Sequence, residues 1–202
     1  MITAYSHPFP SIVNRILVDC TIGIPHVEGI SKAMKALWDT GATCTCIAQS
    51  VAEEIGLVKV NERDLIGADN KPFKADVFCV RLQMGHFVIE NIEVCGIPMD
   101  GKSENMIIGM DVITKGDLSI TNYQGHTFLT FREPSLEKID YVAEIDQYNN
   151  YLKRHNINVL HRVPDKCPCG SGKIYKNCHG QTVYAQYEAE QAQQSSTIKK
   201  RS

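Results

Sequence analysis

The stretch Leu37-Trp38-Asp39-Thr40-Gly41-Ala42-Thr43 decides how this chain is read. Residues 33–38 are largely apolar and read as a strand that runs straight into an acidic turn. Thr40 can give and accept hydrogen bonds in such a turn, and Gly41 lets the backbone approach a carboxylate or a second chain closely. The triplet Asp39-Thr40-Gly41 occurs once in the 202 residues. Standing alone, it fits equally well an exposed turn whose acid caps a loop, so the flanking sequence has to decide.

The flanks read as short strands with regular turn signals. Ile16, Val18, Cys20 and Ile22 alternate, and residues 23–25 break the run. Residues 32–38 give a second strand, and residues 48–55 a short helix closed by Gly56. Phe78, Val80, Leu82 and Met84 alternate, followed after a turn at Gly85 by Val88, Ile92 and Val94. Leu118 and Ile120 are expected to pair with Phe128 and Thr130 across residues 122–126. Many short strands with one or two small helices predict a mainly β, closed barrel domain over residues 1–133. After Pro134, Tyr141, Ile145, Tyr148 and Leu152 recur at helical spacing, which predicts an amphipathic helix from Ser135 to about His155 within a helical linker, 134–163. A cysteine-rich module, 164–181, and a polar tail, 182–202, follow. No internal repeat is found.

Downstream of the acidic turn comes Met106-Ile107-Ile108-Gly109-Met110-Asp111-Val112-Ile113. With this second block in place, the chain resembles the retropepsins, the retroviral-type aspartic proteases, and their single-domain bacterial relatives, over roughly residues 12–131. The resemblance implies a retropepsin-like barrel that acts as a homodimer, with one Asp39 from each subunit as the catalytic acid. Thr40, Gly41 and Ala42 would shape the catalytic turn, and Ile107, Ile108 and Gly109 would cross behind it. The flap that closes over a peptide substrate would be the hairpin around Gly67, Ala68, Asp69, Asn70 and Lys71. Asp111, at the start of a short helix, reads as a structural acid capping free amides rather than as the second catalytic carboxylate. Cys44 and Cys46 read as small buried hydrophobes, since two thiols cannot complete a tetrahedral metal site.

Two carboxyl groups in contact can hydrolyse a peptide bond without a metal. Like charges about 3 Å apart cannot both ionise, so the pair holds one proton between them. The charged member takes a proton from water, while the neutral member polarises the scissile carbonyl. No His-Glu-x-x-His occurs to suggest a zinc peptidase.

Cys167-Pro168-Cys169-Gly170-Ser171-Gly172-Lys173-Ile174-Tyr175-Lys176-Asn177-Cys178-His179-Gly180 is the second signal. Cys167, Cys169, Cys178 and His179 make a complete Cys₃His set for tetrahedral zinc, whereas disulfide pairing would leave one thiol over. So short a segment has almost no core, so the metal would supply most of its folding energy. The spacing and the Gly-Ser-Gly-Lys centre look like the SEC-C motif. That resemblance implies a structural zinc, with no metal needed for catalysis, and docking onto another protein or the ribosome. A phosphate loop is excluded, because the spacing and strand-loop-helix context are missing.

Composition narrows the remaining classes. Hydrophobic residues at 43%, charged residues at 22% and a net charge of −2 are ordinary for a globular chain and give no footprint for nucleic acid. No apolar run reaches the roughly 18 residues that cross a bilayer, and no secretory leader is recognised. The scattered Cys20, Cys44, Cys46, Cys79 and Cys95 do not form a disulfide framework, which favours a cytoplasmic setting. Three functions follow: an intracellular aspartic endopeptidase targeted by its zinc module, a non-catalytic peptide-binding dimer, or an adaptor whose barrel is only a scaffold.

Overall fold

The computed structural model describes residues 2–67, 70–99 and 103–154, together with positions 172–174, 177, 178, 181, 185 and 189. Two compact units divide the chain, residues 1–137 and 138–202. Among the described residues no helix is long and apolar enough to cross a membrane.

The first unit is a barrel with a small sheet. Its strands are β1 (Thr3–Pro8), β2 (Leu17–Gly23), β3 (Ser31–Trp38), β4 (Cys46–Ala48), β5 (Lys59–Ile66), β6 (Pro72–Met84), β7 (Phe87–Ile97), β8 (Met106–Ile108), β9 (Asp117–Tyr123) and β10 (His126–Glu133). Two short helices, α1 (Gln49–Glu54) and α2 (Met110–Ile113), interrupt them. Strands run in the order β2-β3-β8-β4-β7-β6, and β6 pairs back onto β2 through Ile22 and Leu82, so six strands close on themselves. Closure removes the unpaired edges that an open sheet would expose. β5 extends from β6 as a hairpin outside this ring.

Period-2 patterning places the core. Val18, Cys20 and Ile22 of β2 are buried, as are Met34, Ala36 and Trp38 of β3 and Val80, Leu82 and Met84 of β6. In β7 the inward set is Phe87 and Ile89, then Ile92 and Val94, so the alternation slips by one residue. Val88, grouped with Ile92 and Val94 in the sequence reading, faces the other way. The slip coincides with Asn91 at φ +57° and a register shift opposite Val80 and Leu82, the marks of a β-bulge.

A three-stranded sheet, β1-β10-β9, covers the barrel. Its hairpin turns through Gln124 and Gly125, both left-handed at φ +52° and +84°, a two-residue loop of the type that matches strand twist. The register pairs Leu118 with Phe131 and Ile120 with Leu129. This is one residue away from the expected pairing with Phe128 and Thr130. Burial sets the choice, because Leu129 and Phe131 enter the core while Phe128 stays exposed. Phe131 stacks obliquely on Trp38 with ring centres 5.2 Å apart, and edge-on against Phe87 at 5.6 Å.

In the second unit α3 spans Tyr141–Arg154. The helix starts later than Ser135 because Asp140 is its N-cap, accepting the Ala143 amide on Oδ1 at 3.1 Å. Upstream, Asp117 of the first unit accepts the Leu136 amide at 2.9 Å and the Ser135 hydroxyl, tying that segment to the start of β9.

Candidate active site

Asp39 stands one residue beyond β3, and both edges of that strand are occupied. β2 lies antiparallel on one side, and β8 lies parallel on the other with Trp38 opposite Ile108. The Asp39 amide continues that ladder by donating to the Ile108 carbonyl at 3.0 Å. The chain then turns back, with Ala42 N–H on the Asp39 carbonyl at 3.2 Å and Gly41 N–H on Asp39 Oδ1 at 2.8 Å. The acid is thus held by its main chain and by one of its own carboxylate oxygens. Asp39 is half-buried, while Thr40 and Gly41 are exposed in the single chain. Among the described residues, no second acid hydrogen-bonds Asp39.

Ile107, Ile108 and Gly109 run behind this turn. Gly109 is required by close approach: a Cβ there would lie 2.5 Å and 2.6 Å from the carbonyl carbon and oxygen of Cys44, and 3.0 Å from the Ala42 oxygen. Those atoms are main chain and cannot swing aside. Met110 N–H meets the same Ala42 oxygen at 2.8 Å, so the start of α2 is bonded to the end of the acidic turn.

Thr45, fully buried, ties the two blocks together, and the sequence reading did not single it out. Its amide donates to Asp111 Oδ2 at 2.9 Å, and its hydroxyl donates to Oδ1 at 2.7 Å. The same Oγ1 accepts the Gly109 amide at 3.1 Å. Asp111 also caps the Val112 amide at 2.9 Å, so its carboxylate is fully engaged in holding the loop. No local sequence signal marks Thr45, because its partners lie 64 and 66 residues further along the chain.

The hairpin of β5 and β6 ends at Gly67, whose amide donates to the Lys71 carbonyl at 3.0 Å. Asn70 takes the left-handed conformation at φ +60° and donates its amide to the Gly67 carbonyl at 2.9 Å. Ala68 and Asp69, the middle of the expected flap tip, lie outside the described residues. Ile66 beside the tip is 75% exposed, an apolar side chain presented to solvent.

Of the four expected metal ligands, Cys178 is described and half-buried, whereas Cys167, Cys169 and His179 lie outside the described residues. Among the described residues, no group of three or more His, Cys, Asp or Glu is disposed to hold a metal ion.

The aspartyl protease family model matches residues 25–112, and the SEC-C motif model matches residues 164–181. Among solved structures, a retropepsin-like aspartic protease from Rickettsia conorii is 14% identical, with a TM-score of 0.41, covering 66% of this chain and 96% of its own. The retroviral protease-like domain of Ddi1 from Leishmania major is 17% identical, with a TM-score of 0.36, covering 64% of this chain and 99% of its own. A Legionella pneumophila protein of unknown function is 15% identical, with a TM-score of 0.31, covering 48% and 82% of the two chains. No curated protein matches. By its family matches, the chain resembles the aspartyl proteases over residues 25–112 and matches the SEC-C motif over residues 164–181.

Proposed function

We propose that the protein is an aspartic endopeptidase whose active site forms when two copies bring their Asp39 turns together. One observation carries this reading. Asp39 is locked at the end of a doubly paired strand, yet the Thr40-Gly41 side of its turn is exposed, and no second Asp-Thr-Gly exists in the chain. A rigid acid with an open face is suited to receive its own copy across a two-fold axis.

In such a dimer the two Asp39 carboxyls share one proton. The ionised member takes a proton from a bound water, whose oxygen attacks the scissile carbonyl carbon. The protonated member gives its proton to the carbonyl oxygen, so a neutral tetrahedral diol forms. Collapse then transfers a proton to the amide nitrogen as the C–N bond breaks. Thr40 and Gly41 would brace one turn against the other, and Ile108 and Gly109 would hold each turn from behind. The β5–β6 hairpin, with Gly67, Ala68, Asp69 and Asn70 at its tip, would cover the substrate.

Cys167, Cys169, Cys178 and His179 form a donor set that suits structural zinc, with all four positions filled by protein. The SEC-C module would then bring substrates, or a protein or ribosome partner, to the protease in the cytoplasm. Asp39→Asn tests the proposal, since the amide nearly matches the carboxylate in shape. Loss of peptide-library cleavage with an intact dimer supports it. Wild-type protein that dimerises and retains peptides but cuts none between acidic and neutral pH would instead be a peptide-binding protein.

A further inference from the structure

The loop that leaves the acidic turn carries two thiols that peptide hydrolysis does not use, and a third lies beside them on β7. Cys44 and Cys46 flank Thr45 with their sulfurs 3.8 Å apart, and Cys46 Sγ also lies 3.6 Å from the Cys44 carbonyl oxygen. Cys46 stands opposite Cys95 in the parallel pairing of β4 with β7. Cys46 and Cys95 are buried, while Cys44 is half-buried and can be reached from solvent. Arg63 of β5, ion-paired to Glu93 at 2.9 Å, adds positive charge facing Cys44 and Cys95.

We propose that Cys44 is a modification site, a nucleophilic thiolate that hydroperoxides oxidise and that then closes a disulfide onto Cys46. Three sulfurs this close cannot all carry charge. The two buried neighbours stay protonated and donate toward Cys44, which has solvent on one side. Hydrogen bonds from Cys46 and Cys95, with lesser help from Arg63 and the Thr43 hydroxyl, hold the Cys44 thiol far below its ordinary range. The same arrangement pushes Cys46 upward and Cys95 up to about 11.

The chemistry balances without a metal. The Cys44 thiolate attacks one oxygen of the hydroperoxide. An S–O bond forms, the O–O bond breaks, and the departing alkoxide takes a proton to leave as an alcohol. Sulfur is oxidised by two electrons to a sulfenic acid, and the peroxide is reduced. The Cys46 sulfur then attacks the Cys44 sulfur, the S–S bond forms, and the S–O bond breaks. Hydroxide departs with the Cys46 proton as water, and a thiol reductant reverses the link. Because Thr45 lies inside the resulting ring, oxidation acts on the residue that ties Gly109 and Asp111 to the loop.

The full-length protein tests this without any assay of proteolysis. Iodoacetamide at pH 6, read by peptide mass mapping, should label Cys44 about tenfold faster than Cys79, a half-buried thiol beside the Asn91 amide oxygen. Hydrogen peroxide should remove two hydrogens from the peptide holding Cys44 and Cys46, and in Cys46→Ser dimedone should trap a sulfenic acid on Cys44. Labelling of Cys44 no faster than Cys79, or survival of both thiols in peroxide, would overturn the proposal. A link from Cys44 to Cys95 would overturn the role given to Cys46.

Discussion

Thr45 and Asp111 meet through two hydrogen bonds, amide to Oδ2 at 2.9 Å and hydroxyl to Oδ1 at 2.7 Å, although 66 residues separate them in sequence. This pair, with the Gly109 amide on the same hydroxyl, adds to the Met110–Ala42 bond in holding α2 against the acidic turn. Thr45→Val keeps the shape but strands the buried Gly109 amide and removes one of the bonds that Asp111 Oδ1 accepts. A loss of about 1–3 kcal/mol is expected in urea denaturation of the protein, with Thr45→Ser recovering most of it.

Gly109→Ala places a methyl group against the main chain of Cys44 and Ala42, so the turn itself must move. Peptide hydrolysis is expected to fall at least about tenfold, roughly 1.4 kcal/mol in the barrier, with the circular dichroism of the β-domain retained. Equal activity of wild type and variant would show that the position of Asp39 does not depend on this contact.

Asp117 accepts the Leu136 amide, the Ser135 hydroxyl and the Arg132 guanidinium, which together hold its carboxyl well below the usual carboxylate range. A depressed folded-state value stabilises the fold above about pH 4, and the benefit drains away as pH falls further. Asp117→Asn should therefore be less stable than wild type at pH 7, and the gap should narrow steadily as pH falls from about 4 toward 2. Thermal unfolding followed across that range checks the direction. Glu104, held low by Ser103 and by Arg15 at 2.8 Å, should add to the same acid sensitivity.

Metal analysis of the purified chain should find one zinc per chain, lost in Cys167→Ser or on strong chelation. Cleavage of short peptides should survive that loss, since the module is assigned recruitment rather than catalysis. Abolition of short-peptide cleavage by chelator alone would refute that division.

Much of this was legible in the chain because the decisive contacts are encoded locally. The strand into Asp39 and the Ile107-Ile108-Gly109 block both sit at ends of buried runs, and alternation marks them directly. Three features escaped for physical reasons. The β9–β10 register depends on Leu129 and Phe131 entering the core in place of Phe128 and Thr130, with Phe131 against Trp38 and Phe87, a tertiary matter. The slip in β7 hangs on one left-handed asparagine, which periodicity cannot foresee. Thr45 matters through partners far along the chain, and a hydroxyl in a short loop announces nothing about them. The start of α3 was readable from Asp140 as an N-cap, but the apolar spacing that reaches back toward Pro134 masked it.

The pairing of β1 with β10 sets Thr3 beside Glu133, so the small sheet joins the earliest and latest strands of its unit. During synthesis, β1 therefore waits without its neighbour until nearly the whole unit has left the ribosome, and the sheet that covers the core through Phe131 cannot assemble before then. An incomplete nascent chain lacks both this cover and β8, which backs Asp39, until late in elongation. Any hydrolytic capacity would thus be withheld from the growing polypeptide, a timing control written into strand order.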